Sequence, residues 1–245
     1  MRPALRVVRR AARKPGVVSR GCSHAPIRAR LWSYDGGRWG VVRPSGARRR
    51  DDHGSTAPTQ TGFSVAQALV IVDIQKDYFP GGANPLHEPE QAVAAARRVL
   101  DRFRSTGESV VHIQHVWDAP DALFMRPGTE GVEIHADVAP LPGETVIQKD
   151  APNAFLRKPL ERELRERDID ALVVCGMMTS MCVDATVRAA ADLGFTVTVI
   201  HDACAAPALS FGGTEVSAPL VHAAFLGALA QGYATVISAA ETTDG

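Results

Sequence analysis

Three side chains that together could supply a nucleophile, a proton acceptor and a charge to tune both follow short apolar runs in this sequence. Asp73 comes after ALVIV, Lys149 after TVIQ, and Cys182 lies in ALVVCGMMTSMCVDA, residues 171–185. A thiol attacks as its thiolate, a carboxylate can take the thiol proton, and an ammonium tunes the charge of both. The segment around Cys182 reads as strand, glycine turn and helix start, with the cysteine about one turn inside the helix. The unpaired N–H groups and partial positive charge of a helix N-terminus would favour the thiolate there. Singly, each residue has a plainer explanation. A buried cysteine is usually a small inert hydrophobe, Asp73 could cap a turn, and Lys149 could be a solvated strand end. Only their meeting would make a site.

That meeting depends on the elements that carry them. Residues 68–73 form a continuous apolar run, as expected of a buried parallel strand. After a turn at Pro80-Gly81-Gly82, Pro89 opens a helix with Val93, Ala96, Leu100 and Phe103 at helical spacing, ended by Gly107. Ser109 to His115 reads as a second strand, followed by a Pro/Gly-rich excursion from Trp117 to Gly143 and a third strand from Thr145 to Lys149. A helix is expected from Phe155 to Arg167 and a fourth strand from Ala171 to Cys175, before the cysteine helix that Gly194 closes. Phe195 to His201, a helix over 213–231 and Ala234 to Ile237 complete the pattern. Strands separated mostly by helices predict an α/β fold, a three-layer α/β/α sandwich around a mostly parallel sheet of about six strands. Ligands in such folds bind beyond the carboxyl ends of the strands. Asp73, Lys149 and Cys182 all belong to that edge.

The charges balance overall, with 27 Lys/Arg and 27 Asp/Glu, but residues 1–62 hold 14 of the bases and 3 of the acids. This Arg-, Gly-, Pro- and Ser-rich stretch has no sustained hydrophobic period, so it is expected to be disordered. We read it as sequence upstream of the true translation start, with an organelle transit peptide and a nonspecific nucleic-acid arm as competing readings. Residues 63–245 would then form the functional domain. No stretch resembles a membrane span. Cys22, Cys175, Cys182 and Cys204 include no C-x-x-C pair, which fits a reducing cytoplasm. Cys175 reads as structural and Cys204 as the second-ranked thiol.

Taken in order, DIQKDYFPGG at 73–82, Lys149 with the following PNAF, GMMTSMCVDATVRAA at 176–190 and HDACAA at 201–206 resemble the isochorismatase-like cysteine hydrolase superfamily. The resemblance covers 66–240. It implies an Asp-Lys-Cys triad at Asp73, Lys149 and Cys182, and a non-proline cis peptide joining Met177 to Met178. It further implies an oxyanion hole from the backbone N–H groups of Met178 and Cys182. The reaction it implies is hydrolysis of a small amide, carbamoyl or ureido compound through a Cys182 thioester, by a homo-oligomer, dimer or tetramer, with no specific nucleic-acid partner. Gln75, Phe79, Trp117 and Phe155 are candidate substrate-binding residues, each balanced by a plain polar or packing role.

The nicotinamidase branch of that superfamily carries a metal on an Asp-x-His pair, and His115 and Trp117 stand at the two positions here. His112 and His115, three apart on a strand, point to opposite faces. No metal and no cofactor are therefore expected. Nicotinamidase and isochorismatase activities remain alternatives. Another is a catalytically silent scaffold that uses the fold as an interaction surface.

Overall fold

The computed structural model describes residues 32–35, 38–41 and 66–243. Two compact units divide the chain, 1–50 and 51–245. In the first, β1 (Trp32–Asp35) and β2 (Arg38–Val41) pair antiparallel, with Trp32 opposite Val41 and Asp35 opposite Arg38. This hairpin lies within the stretch 1–62 for which the sequence led us to expect no regular structure. The overlooked signal was Gly36-Gly37 between two short runs containing aromatic residues. The rest of that segment, with Cys22, lies outside the described residues.

The second unit is built on a six-stranded sheet. Its strands are β3 (Gln67–Val72), β4 (Ser109–His115), β5 (Thr145–Lys149), β6 (Ala171–Met177), β7 (Thr196–Ala205) and β10 (Thr235–Ile237). All neighbours are parallel, in the order β10-β7-β6-β3-β4-β5. Helices α1 (Pro89–Thr106), α2 (Leu160–Arg165), α3 (Asp184–Asp192) and α4 (Ala218–Ala230) flank the sheet as the α/β pattern predicts. Ala68 to Val72 are all buried, consistent with a strand covered on both faces. The α1 side chains Val93, Ala96, Leu100 and Phe103 are buried, and Gly107 ends the helix at φ 71°, a backbone glycine adopts without a Cβ penalty.

The chain builds outward from β3 through β4 to β5, then returns to add β6, β7 and β10 on the other side. This reversal places a topological switch point between β3 and β6, where a crevice opens at the carboxyl ends of the strands. Asp73 follows the first of those strands and Cys182 the second. The fit between them depends on Gly176, which pairs with Val72 and has φ 135°. A Cβ there would collide with the Val72 carbonyl, and few residues other than glycine adopt that backbone.

Three expectations are corrected. The helix expected over 155–167 is confined to Leu160–Arg165, since Pro159 sits at its N-cap and the preceding residues form turns. The helix expected over 213–231 starts only at Ala218; before it lies a hairpin of β8 (Leu209–Phe211) and β9 (Thr214–Val216), turned by Gly212 and Gly213 at positive φ. Strand β7 runs four residues beyond His201, and β6 two beyond Cys175, across a register shift between Val174 and Gly176.

Candidate active site

Asp73 stands just past β3 in the left-handed region, φ 50°, a conformation Asp tolerates better than most residues. Its N–H donates to the Ile113 carbonyl at 3.0 Å, which ties it to β4. Lys149 is the last residue of β5, and its side chain is wholly shielded from solvent. After β6 the chain passes through a cis peptide bond between Met177 and Met178, then a π turn over Thr179–Val183. The ordinary helix start expected around Cys182 is corrected accordingly: α3 begins at Asp184. The Met178 carbonyl accepts from both Met181 N–H at 3.0 Å and Val183 N–H at 3.2 Å, widening the first turn.

The Lys149 ammonium is the hub of the site. Its Nζ lies 2.7 Å from Asp73 Oδ2, 2.8 Å from His115 Nδ1, 3.0 Å from the Ala151 carbonyl and 3.2 Å from Cys182 Sγ. An ammonium has only three protons for those four neighbours. They are shared among Asp73, His115, Ala151 and Cys182. Asp73 is ion-paired to the ammonium, and hydrogen bonding from Lys149 and the Cys182 thiol favours its ionised form.

Burial sets the protonation states. It pushes the Asp73 carboxyl above its ordinary value, against the pull of Lys149. The Cys182 thiol is pushed up strongly, first by burial and then by the Asp73 carboxylate. Burial and the Asp73 charge thus oppose the thiolate that a helix terminus would favour. Burial, and next the Lys149 charge, hold His115 down to about 4. Its ring is neutral at pH 7. Because Nδ1 accepts from Lys149, the ring proton resides on Nε2.

Cys182 and His115 open onto a cavity of about 310 Å³ walled by Tyr78, Trp117, Phe124, Met178 and Met181. Of the four expected substrate-binding side chains, only Trp117 lines it. Gln75 is wholly buried; its amide donates to the His115 and Val132 carbonyls, and Oε1 accepts from His115 N–H. It clamps the end of β4 instead of meeting substrate. Phe79 stacks on His135 at 4.1 Å beside another cavity, and Phe155 packs toward Phe195 at 5.9 Å. Both are corrected because hydrophobic burial claimed their rings.

Cys175 is buried in β6, and Cys204 donates to the Ile200 carbonyl with its thiol pushed up to about 12. Cys204 borders a different cavity, of about 280 Å³. His222 in α4 bonds Thr179 Oγ1 at 3.0 Å, and Asp202 accepts from Ala239 N–H at 2.7 Å. Sequence reasoning gave no role to His115, Tyr78 or Phe124. Tyr78 lay inside the DIQKDYF motif, and His115 could have been found as the strand-end neighbour of Lys149, since the two pair across β4 and β5. Phe124 sits in the excursion, which has no period to read.

One oxygen of Asp73, one nitrogen of His115 and the Cys182 sulfur lie within 4.8 Å of one another, a spacing a metal ion could bridge. The Lys149 ammonium contacts the same three residues and stands where such a cation would sit. His112 faces elsewhere, with Nε2 2.8 Å from Glu144 Oε2.

The isochorismatase domain family model matches residues 67–241. Among curated proteins, the uncharacterized isochorismatase family protein YddQ of Bacillus subtilis is 48% identical over 169 residues, covering 69% of this chain and 94% of that protein. A streptothricin hydrolase of Streptomyces noursei is 36% identical over 165 residues, 66% of this chain and 64% of its own. Among solved structures, a candidate isochorismatase hydrolase from Oleispira antarctica superposes with a TM-score of 0.72 at 42% identity, covering 78% of this chain and 100% of that one.

Proposed function

The chain belongs to the isochorismatase family, and on that premise we propose that it is a metal-independent cysteine hydrolase cleaving the C–N bond of a small amide, carbamoyl or ureido compound. The observation that carries this reading is the meeting of Asp73 and Cys182 on the one buried ammonium of Lys149. Lys149 Nζ lies 3.2 Å from Cys182 Sγ and 2.7 Å from Asp73 Oδ2, so the ammonium can steady a developing thiolate while the carboxylate beside it takes the thiol proton. The ammonium at the centre of the Asp73, His115 and Cys182 cluster supports metal independence, because it supplies the positive charge there.

Asp73 takes the Cys182 proton as Sγ bonds to the substrate carbonyl carbon. Charge builds on the carbonyl oxygen, facing the N–H groups of Met178 and Cys182, and losing one such donor costs about 3 kcal/mol. The tetrahedral intermediate collapses with cleavage of the C–N bond, and Asp73 returns its proton to the departing nitrogen. Water, losing a proton to Asp73, then attacks the thioester; the acid departs and the proton returns to sulfur. Generating the thiolate only during the reaction suits a thiol pushed strongly up at rest.

Cys175, Cys182 and Cys204 are all free, which supports a reducing, cytoplasmic setting. No described helix is long and apolar enough to cross a membrane. Assembly as a dimer or tetramer belongs to the same proposal, with Phe211, 91% exposed, and Leu220, 63% exposed, as apolar surface to be covered. Sedimentation velocity tests that part. For the reaction, ammonia release is measured over a panel of small amides and ureides. Cys182→Ala and Asp73→Asn should abolish it while leaving the circular dichroism spectrum unchanged. Turnover retained in Cys182→Ala would overturn the reading.

A further inference from the structure

The cavity above Cys182 has an electrostatic bias that bears on what it can admit. Among the described residues, no arginine or lysine lines it. The nearest buried cation is Lys149, which is already paired with Asp73 at 2.7 Å and surrounded by His115, Ala151 and Cys182. Among the described residues the only charged side chain on the cavity wall is Asp150, which meets Lys158 at 3.2 Å on a solvent-exposed side. His115 offers an uncharged ring whose Nε2–H is a neutral donor. The wall opposite these groups is aromatic: Trp117 and Phe124 meet edge to face at 5.4 Å, and Phe124 tilts against Tyr78 at 5.9 Å.

A carboxylate drawn into such a cavity would lose its hydration, find no cation on the wall, and meet Asp150 there. An uncharged planar group would bury its faces against the aromatic rings, with one polar donor to orient it. Resting on the cysteine-hydrolase reading, we propose that the site selects amides whose non-reacting part is uncharged, flat and apolar, and rejects those carrying a carboxylate near the scissile bond.

Iodoacetamide and iodoacetate test this directly, because they alkylate a thiol by the same displacement and differ chiefly in exchanging a neutral amide for a carboxylate. The full-length protein is treated with each at pH 7.5, and the rate at Cys182 is followed by peptide mass mapping. The amide-to-acetate rate ratio should exceed the ratio on free cysteine by at least tenfold. Trp117→Arg, which puts a cation into the wall, should bring the ratio back toward the free-cysteine value. In a parallel arm, 4-methylbenzamide should slow labelling at a concentration where 4-carboxybenzamide does not. A ratio equal to or below that of free cysteine, or equal protection by the two benzamides, would overturn the inference while leaving the nucleophile in place. A Cys182 labelled no faster than Cys175 and Cys204 would overturn the hydrolase reading itself, and the selectivity with it.

Discussion

Replacing Lys149 by methionine keeps a straight side chain of similar length and removes the ammonium that lies 2.7 Å from Asp73 Oδ2. Both partners are fully shielded from solvent, so the carboxylate would be left unpaired in the interior. It escapes by keeping its proton. The penalty is then the cost of protonating a group with an ordinary value of 3.8. At about 1.4 kcal/mol for each pH unit above that value, the loss approaches ~4 kcal/mol at pH 7 and ~2 kcal/mol at pH 5. The larger figure falls within the ~3–5 kcal/mol typical of breaking a buried ion pair. The sign follows from proton counting. The folded variant holds a proton that the unfolded chain has released, so stability is greatest at low pH and is lost as pH rises. Urea unfolding followed by circular dichroism at pH 5, 6, 7 and 8 measures the slope against wild type. A second variant, Asp73→Leu with Lys149→Met, should recover most of the loss, because a buried pair replaced by apolar side chains is often neutral or better. A destabilisation independent of pH, or a double variant no more stable than the single one, would refute the pairing argument.

The other expected outcomes concern different parts of the molecule. Glu144 is held down to about 2, chiefly by Arg104, which donates to its two oxygens at 2.7 and 2.8 Å. Its contribution is therefore complete above 4.5 and lost as pH falls toward 2. Roughly 3 kcal/mol by the shift, reduced to ~1.5 kcal/mol by solvent at this partly open site, should vanish from the acid unfolding curve of Glu144→Gln. His115 resists protonation down to about 4 in the fold, whereas 6.5 is its ordinary value. Stability should therefore be complete above 6.5, weaken as pH falls toward 4, and lose that dependence in His115→Asn by the same unfolding assay. Gly176→Ala should lower Tm markedly, since its Cβ meets Val72 backbone; strain and overpacking together cost ~2–5 kcal/mol.

Strand ends carried most of what could be read from sequence. Apolar runs bounded by turn residues are a local signal, and they suffice to put Asp73, Lys149 and Cys182 at one edge of a parallel sheet. The cis Met177-Met178 bond came from family resemblance. What local patterns could not supply was competition for burial. Phe79 and Phe155 were attractive as pocket rings, but His135 and Phe195 claimed them. Gln75 read equally well as surface polarity, because nothing near it in sequence announces the His115 and Val132 backbone groups it bonds. The π turn was hidden for a similar reason: it depends on Met178 accepting from two N–H groups, a matter of turn geometry. The Leu209–Val216 hairpin was masked by the apolar character of the following helix, which drew the expected boundary too early.

The central claim is that Cys182 forms a covalent acyl intermediate. It is tested most directly by acid-quenching the enzyme during steady-state turnover of an amide that the panel shows to be cleaved, then mapping the modified peptide by mass spectrometry. The account predicts an acyl mass increment on Cys182, absent from Cys182→Ala and from enzyme quenched without substrate. Continued turnover in Cys182→Ala, or an increment on Cys175 or Cys204 instead, would contradict it.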